Sequence, residues 1–190
     1  MDRRAFLNSG LAAGAAVAGI GSQGLAAGNN KVKILGISCS PRKGMTTATG
    51  VKVALEAAEA VNSNISTELI DLGGITFSGW TGSPSTVEDD FDRLVLPKLK
   101  DASVGGLIIG SPAYFRNASS VCMAFLERLA VLRKPKLLLA DKAVGILSVG
   151  AYRNGGQEMV IQQIQTAMLY HEVVIVGGKP GAHQGATLIK

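Results

Sequence analysis

Residues 32–47 read VKILGISCSPRKGMTT. The first seven, Val32–Ser38, are rich in branched apolar residues and run into Ser, Pro and Gly, which predicts a short buried β-strand. Apolar residues then recur at helical spacing from Thr46 to Val61, which predicts an α-helix. A buried strand that passes through a short polar loop into a helix is the first half of a βαβ unit, so this stretch indicates an α/β fold with a parallel sheet.

The same alternation of strand and helix continues along the chain. Further strands are predicted at Thr67–Leu72, Gly106–Gly110, Ala143–Val149 and Val173–Val176, and further helices at about Val87–Lys100, Ala118–Leu132 and Gly156–Tyr170. Apolar strands that alternate with helices predict a parallel sheet covered on both faces. Loops rich in Ser, Gly and Pro follow the first, third and fourth of the five strands. This favours the doubly wound, flavodoxin-like order 2-1-3-4-5, in which ligands bind beyond the carboxyl ends of the strands.

The composition fits one domain and limits the classes of partner. Of the 190 residues, 47% are hydrophobic and 17% are charged, and the formal net charge is +5. A basic chain can bind nucleic acid, an anionic membrane surface or a phosphorylated ligand. Because Lys and Arg form no long run and only 5% of residues are aromatic, we expect no nucleic-acid partner. The two cysteines, Cys39 and Cys122, are either packed as small apolar residues or paired in a disulfide.

The first residues have the pattern of an export signal. Arg3 and Arg4 precede an uncharged stretch, Ser9–Ile20, and small residues lead to a cleavage site after Ala26. An arginine pair at this place resembles the twin-arginine signal, which a receptor reads and which directs folded proteins out of the cytoplasm. The uncharged stretch is shorter than the ~20 residues that span a bilayer, so we expect no membrane span after processing. The prediction is a signal peptide at 1–26 and one domain at 27–190, in the periplasm or otherwise outside the cytoplasm.

The loop after the first strand has the features of a phosphate site. It joins a buried strand to a helix N-terminus, where backbone N–H groups and the helix dipole favour an anion. Ser40, Thr46 and Thr47 add hydroxyl groups, and Arg42 adds a guanidinium that suits a phosphate dianion. The loop lacks both the Gly-Lys-Ser/Thr ending of a Walker loop and the Gly-x-Gly-x-x-Gly dinucleotide motif. The alternative is an ordinary strand-to-helix turn with a threonine as N-cap.

Two later loops contain residues that suit a flat ligand. After the third strand, Tyr114 and Phe115 are adjacent aromatic residues that form either a wall for a ring or a cover over the hydrophobic core. After the fourth strand, the adjacent glycines at 155–156 allow backbone amides to approach a polar edge. Asn154 and Gln157 have the spacing of a helix-capping pair, which would explain them without a ligand.

Together the three loops resemble the NADPH-dependent FMN reductase family and, within it, the iron–sulfur flavoproteins. The matching stretches are Ser40-Pro41-Arg42-Lys43 with Thr46-Thr47, Ser111-Pro112-Ala113-Tyr114-Phe115 with Asn117, and Gly155-Gly156-Gln157-Glu158, and the resemblance covers about residues 31–188. It implies an FMN cofactor whose N5 atom carries the chemistry without a catalytic side chain, and NAD(P)H as a co-substrate. The resemblance assigns to the FMN phosphate Ser40, Arg42, Thr46 and Thr47. It assigns to the ring and its edge Pro112, Tyr114, Phe115, Asn117, Gly150, Ala151 and Gly156.

The sequence departs from the iron–sulfur flavoproteins at two places. Phe77 and Trp80 stand where that branch carries its cluster cysteines, so we expect no iron–sulfur cluster and no other metal. The expected last helix is absent from the sequence: either another subunit covers that sheet face or the sequence ends early. The expected assembly is a homodimer or homotetramer. His171 and His183 have no evident partner and are interpreted as surface or capping residues.

The predicted activity is the FMN-dependent transfer of electrons from NAD(P)H or another donor to a small acceptor, such as a quinone, a metal species or a flavin. The donor stays open because nicotinamide cofactors are not expected outside the cytoplasm. Two alternatives also stay open: a non-enzymatic electron carrier of flavodoxin type, and a flavin- or partner-binding domain that has lost catalysis. Familiar flavodoxins are strongly acidic, whereas loss of residues 1–26, with two basic residues and one acidic residue, leaves this chain at +4.

Overall fold

A parallel β-sheet forms the centre of this computed structural model, which describes residues 31–83, 88–178 and 184–190. These residues belong to one unit, Lys31–Lys190. The predicted signal peptide at 1–26 lies outside the described residues. In the part that is described, no helix is both long enough and apolar enough to cross a membrane.

Strands and helices alternate along the described chain. The strands are β1 (Val32–Ser38), β2 (Ile65–Asp71), β3 (Val104–Tyr114), β4 (Asn117–Ala118), β5 (Ala143–Gly150), β6 (Val174–Ile175) and β7 (Ala186–Ile189). The helices are α1 (Thr46–Glu59), α2 (Leu96–Leu99), α3 (Ser120–Arg128) and α4 (Gln157–Leu169). A π-helical turn at Phe91–Val95 leads into α2, and a 3₁₀ turn at Leu129–Leu132 follows α3. The predicted α/β class is confirmed.

Five parallel strands form the main path of the sheet, in the order β2-β1-β3-β5-β6. With β5 and β6 counted as the fourth and fifth strands, this order agrees with the predicted 2-1-3-4-5. Two short strands are additional to the prediction: β4 folds back antiparallel on β3, and β7 pairs in parallel with β5. Because β6 pairs only with Ala143 and Val144 while β7 pairs with Leu147–Gly150, two short strands share the edge that the sequence assigned to one.

Two predicted helices differ in their bounds. The helix predicted at 118–132 begins at Ser120, because the preceding residues belong to β4 and Ser119 is the N-cap. The Ser119 hydroxyl accepts a hydrogen bond from the Cys122 amide at 3.1 Å, which fixes the first turn. The helix predicted at about 87–100 is shorter among the described residues, where the π-helical turn is followed by one turn of α-helix.

Helices cover the two faces of the sheet unequally. The larger core lies between one face and the helices α2, α3 and α4, and its fully buried members include Ile109, Phe125 and Ile161. On the other face, α1 packs through Val51 and Leu55 against residues of the central strands. Within the described residues no helix follows β7. The expectation that a second subunit covers this face stays a prediction.

A buried arginine connects α3 to the segment before the π-helical turn. The Arg128 side chain is 6% exposed and forms salt bridges with Asp89 and Asp92. Its guanidinium carbon lies 4.7 Å from the centre of the Phe91 ring, and the group also donates to the Ser78 carbonyl at 3.3 Å. Burial alone would raise the pKa of the Asp89 carboxyl, but the hydrogen bonds from Arg128 and from backbone amides hold it below its usual range. Arg128 of α3 therefore binds the carboxylates of Asp89 and Asp92 and the carbonyl of Ser78.

Phe77 packs against the core, and the backbone of Trp80 is hydrogen-bonded to α3. The Phe77 ring centre lies 5.7 Å from that of Phe91, and the Trp80 amide donates to Glu127 Oε2 at 3.0 Å. Within residues 31–83, 88–178 and 184–190, no group of three or more His, Cys, Asp or Glu side chains is placed to hold a metal ion. The expected absence of an iron–sulfur cluster stays a prediction for metal analysis.

His171 is buried, so its interpretation as a surface or capping residue is wrong. The residue is 4% exposed, and Nδ1 has no hydrogen-bond partner among the described residues. Burial, and after it the positive charge of Arg133, lowers the pKa of His171. The imidazole is therefore neutral in the folded protein at neutral pH. His183 lies outside the described residues.

Acid is expected to destabilise the protein through His171. Histidine in an unfolded chain titrates near pH ~6.5, and the folded-state pKa is lower, so the unfolded chain takes up the proton first. The contribution of neutral His171 to the free energy of unfolding is complete above the pKa of this histidine in the unfolded chain. It is lost as the pH falls through the pKa of His171 in the folded protein. We predict that His171→Gln reduces the loss of unfolding free energy between about pH 7.5 and about pH 5, measured by urea denaturation. Equal losses in the two proteins would contradict this assignment.

Candidate functional site

Three loops meet at the carboxyl edge of the sheet. They are the β1–α1 loop (residues 39–45), the β3–β4 hairpin (residues 113–118) and the β5–α4 loop (residues 151–156). Ser38 of β1 pairs with Gly110 of β3, and Pro112 of β3 pairs with Val149 of β5, so the three loops leave neighbouring strand ends. The predicted site residues lie on these loops and on the strand and helix ends beside them. This is the edge where doubly wound sheets bind ligands.

The helix that follows the β1–α1 loop begins without a side-chain cap. Its N-cap is Met45, which offers no side-chain acceptor, so the alternative prediction of a threonine cap is wrong. Among the described residues, the amides of Thr46, Thr47 and Ala48 have no hydrogen-bond acceptor. The first N–H groups of a helix normally find a cap, water or a ligand. An anion at this position would satisfy them.

The predicted phosphate residues surround these free amides. Ser40 and Thr47 are buried, and Thr46 is half-buried. Ser40 Oγ accepts a hydrogen bond from the Arg42 amide at 3.2 Å, which shapes the turn. The Arg42 side chain is exposed and forms no salt bridge with the described residues. Its guanidinium is therefore available to a ligand.

Asp71 at the end of β2 holds the β1–α1 loop, and Gly73 leaves space for it; neither residue was predicted from the sequence. The Asp71 carboxylate accepts from the Gly44 amide at 2.7 Å and from the Gly73 amide at 3.2 Å. Gly73 is required by close approach, because a Cβ there would lie 2.4 Å from the Lys43 nitrogen. The signal that could have identified them is an aspartate at a strand end followed by Leu-Gly-Gly, next to the switch point of the sheet.

A buried hydroxyl connects the β1–α1 loop to the hairpin. Ser119 Oγ donates to the Cys39 carbonyl at 2.5 Å, and the Ser119 amide donates to Ser111 Oγ at 3.1 Å. Cys39 and Cys122 are buried as free thiols. Burial, and after it the hydrogen bond with Cys122, raises the pKa of Cys39 well above its ordinary value. The Cys39 thiol is therefore a neutral packing group beneath the site rather than a nucleophile.

The β3–β4 hairpin exposes an aromatic ring in a strained turn. Tyr114 pairs with Asn117, and the two residues between them, Phe115 and Arg116, have φ angles of +51° and +66°. Two positive φ angles at the centre of a two-residue hairpin are typical of a type I′ turn, which Asn and Gly normally occupy. Phe115 is 98% exposed and Tyr114 38% exposed, so the alternative in which both cover the core is wrong for Phe115. Strain of this kind at an exposed aromatic residue points to function.

Asn117, a predicted ring contact, also supports the hairpin through its side chain. Its Nδ2 donates to the Phe115 carbonyl at 3.1 Å, and its Oδ1 accepts from Gln163 Nε2 at 2.9 Å. Gln163 Oε1 in turn accepts from the Ala118 amide at 2.9 Å. Gln163 of α4 is thus a third residue that the sequence patterns did not reveal, because its contacts are distant in the chain.

The β5–α4 loop is fixed by Gln157 rather than by a capping pair. Gln157 Nε2 donates to the carbonyls of Tyr152 and Leu188, at 2.8 and 3.3 Å, and the helix N-cap is Gly156, which provides no side-chain cap. The predicted Asn154–Gln157 capping pair is therefore wrong. A Cβ at Gly150 would lie 2.3 Å from Gln157 Nε2, so the Gln157 amide fills the space beside Gly150.

The remaining predicted residues differ in their access to a ligand. Pro112 is buried within β3, whereas Ala151 is exposed on the loop. Gly156 has φ +92°, and a Cβ there would lie 2.7 Å from Arg116 Cα, which makes this glycine the contact point between the loop and the hairpin. Beneath the same edge, the buried hydroxyls of Ser38 and Ser148 have no partner among the described residues. Free amides and unpaired hydroxyls at one edge fit a ligand with a phosphate and a polar ring.

Comparison with known proteins identifies the family. The sequence model of the family described as NADPH-dependent FMN reductase matches residues 32–187. An iron–sulfur flavoprotein of Methanocaldococcus jannaschii is 38% identical over 164 residues, which cover 82% of each chain. An iron–sulfur flavoprotein of Methanosarcina thermophila is 33% identical over 151 residues, which cover 77% of this chain and 78% of that one.

The fold likeness extends to more distant structures. The crystal structure of RosB with a bound 8-demethyl-8-formylriboflavin-5′-phosphate intermediate aligns with a TM-score of 0.66 at 18% identity, over 83% of this chain and 65% of that one. At this identity the likeness shows the fold alone. The flavodoxin-like architecture predicted from the sequence is thereby confirmed, and the family match extends over most of the chain. The chain therefore belongs to the NADPH-dependent FMN reductase family, which makes it an FMN-dependent oxidoreductase.

Proposed function

We propose that this protein transfers electrons from NAD(P)H or another donor through FMN to a small acceptor, such as a quinone, a metal species or a flavin. The observation that carries this proposal is an uncapped helix N-terminus that lies at the same sheet edge as an exposed aromatic hairpin. The first suits the phosphate of FMN, and the second suits its ring. When bound, FMN supplies two-electron chemistry at its N5 atom.

The β1–α1 loop is the proposed phosphate site. The free amides at the start of α1 and the hydroxyls of Ser40, Thr46 and Thr47 can donate to phosphate oxygens. Neutral dipoles compensate a dianion only in part, and Arg42 adds the full positive charge that is missing. The carboxylate of Asp71 holds the loop in place by accepting a hydrogen bond from the Gly44 amide.

The hairpin and the β5–α4 loop are the proposed ring site. Tyr114 and Phe115 would lie against the flat ring and exclude water from it, and the backbone around Ala151 and Gly156 would meet its polar edge. These residues bind and orient the ring, and none is required to act as an acid or base. The positive φ of Phe115 belongs to the two-residue turn of the hairpin, where its side chain is exposed.

The site of action is proposed to lie outside the cytoplasm, as the arginine pair at residues 3–4 predicts. A donor other than NAD(P)H would then supply the electrons. We also propose a homodimer or homotetramer as the working assembly.

Stopped-flow spectroscopy of the FMN-loaded protein tests the proposed reaction. Reduction by NADPH, or by a chemical reductant if NADPH is not the donor, is expected to bleach the flavin absorbance, and a quinone is expected to restore it over many turnovers. A protein that passes electrons only to a protein partner would be a carrier of flavodoxin type. A flavin that no donor reduces, or that no acceptor reoxidises, would contradict the proposal.

A further inference from the structure

We propose that the cavity between Arg116 and Arg153 binds an anionic group of the electron acceptor, a small ring compound with a carboxylate or sulfonate. The inference rests on the proposed function, because it names the class of acceptor for that site. The cavity has a volume of about 300 Å³ and is lined by both arginines together with Asn154, Glu158 and Thr187.

The cavity lies beside the place proposed for the flavin ring. Arg116 directly follows Phe115 in the strained hairpin, and Arg153 belongs to the β5–α4 loop. The chain of Arg116 passes over Gly156, where an added Cβ would lie 2.7 Å from Arg116 Cα and 2.8 Å from its Cγ. A glycine at this N-cap therefore leaves room for the arginine between the two loops. A ligand in the cavity would reach both the arginines and the proposed ring site.

The charges of the cavity favour an anion. Neither arginine forms a salt bridge with any of the described residues, although Glu158 lines the same cavity. Two guanidinium groups against one carboxylate leave a net positive site. Arginines bind carboxylate, sulfonate and phosphate oxygens through paired hydrogen bonds, and Asn154 and Thr187 can add neutral donors.

The size and the backbone of the cavity favour a small ligand held at a fixed place. About 300 Å³ is at the lower end of ligand-binding pockets, which suits a single anionic group on a small ring rather than a whole dinucleotide. Arg116 has φ +66°, a conformation that a long side chain rarely adopts unless the surrounding structure requires it. The fold therefore holds this arginine at the edge of the site in an unfavourable backbone conformation.

Binding of a charged and an uncharged quinone measures the contribution of the arginines. Equilibrium dialysis of FMN-loaded protein compares 1,4-naphthoquinone-2-sulfonate with 1,4-naphthoquinone. Arg116→Gln and Arg153→Gln are each expected to weaken sulfonate binding about tenfold, as the loss of one charge-assisted hydrogen bond predicts, while the uncharged quinone changes less than about twofold. Glu158→Gln is expected to tighten sulfonate binding, because it removes the carboxylate that opposes the anion.

A matched variant controls for net charge. Arg133→Gln removes a positive charge outside the cavity and is expected to leave the binding of both quinones unchanged. Sulfonate binding that is unaffected in the double variant Arg116→Gln/Arg153→Gln, or reduced as much by Arg133→Gln, overturns the proposal. Equal loss of both quinones also overturns it, because the arginines would then only support the fold.

The other anion that would suit this cavity is a phosphate group of the electron donor. Binding of NADPH to the double variant distinguishes a donor phosphate from an anionic group of the acceptor. If the double variant binds NADPH as the wild type does, the anionic group belongs to the acceptor. If NADPH loses as much affinity as the sulfonate, the acceptor assignment is overturned. The dialysis is repeated with flavin-free protein. A protein that binds no flavin would refute the proposed function while the sulfonate affinities still decide this inference.

Discussion

Replacing Arg128 with methionine is expected to lower the free energy of unfolding by about 3 kcal/mol. The guanidinium is 6% exposed, and it pairs with Asp89 and Asp92, whose side chains are 25% and 20% exposed. Removal leaves two carboxylates close together without compensation, and it also removes the contact with the Phe91 ring. Because the carboxylates keep some access to water, we expect the lower end of the cost of breaking a buried ion pair.

Arg93→Met is the matched control for this experiment. Arg93 pairs with Asp90 on the same segment, but its side chain is 54% exposed, and exposed pairs contribute little to stability. The pH dependence adds a second readout: the pKa of Asp89 is lowered, so the pair stabilises the fold above the ordinary Asp pKa and loses this effect as acid protonates Asp89. Urea denaturation that shows equal stability for Arg128→Met and Arg93→Met would contradict the assignment.

Replacing Arg42 with alanine is expected to weaken FMN binding by about one to two orders of magnitude. A guanidinium supplies a full positive charge and two parallel hydrogen bonds to a phosphate, and each charge-assisted bond contributes about 1.5–3 kcal/mol, where ~1.4 kcal/mol is tenfold in affinity. The amides and hydroxyls of the β1–α1 loop stay in place in the variant, because the turn depends on the Arg42 backbone amide and Ser40 Oγ. Loss of affinity would therefore report the charge.

Riboflavin and Lys43→Ala are the controls for the Arg42 experiment. Riboflavin has no phosphate, so its binding should be almost equal in the wild type and in Arg42→Ala. Lys43 is the neighbouring exposed cation, and its backbone lies against Gly73. Its replacement should have a much smaller effect than that of Arg42. Titration of flavin fluorescence measures all these affinities, and equal FMN binding by the wild type and Arg42→Ala would remove Arg42 from the site.

Local patterns in the sequence were sufficient for the central part of the fold. Val32–Ser38 is a strand with the predicted bounds, and α1 begins at the predicted Thr46. The prediction of this strand and of this helix depends on the spacing of apolar residues and on Ser, Pro and Gly residues that lie within a few positions of each element. The strand β7, which shares the sheet edge with β6, could not be predicted in the same way, because a strand of four residues is too short to show a period.

The missed parts of the site depend on contacts between distant residues. Asp71 binds the amide of Gly44 across 27 positions, and Gln163 supports Asn117 across 46. The type I′ hairpin could not be predicted from the sequence either, because Phe115 and Arg116 occupy the two turn positions at which Asn-Gly is usual. Arg128 falls on a helix where an arginine is usually solvated, and its burial becomes evident only with its two carboxylates in place.

Analysis of the flavin in purified protein tests the central claim most directly. Protein made in the cytoplasm without residues 1–26 should be yellow, and acid or heat should release a stoichiometric amount of FMN. FMN rather than FAD is expected because the residues that the structure describes contain one proposed phosphate loop and no second loop for an adenosine half. Colourless protein that takes up no added FMN, or protein that releases FAD, would contradict the account.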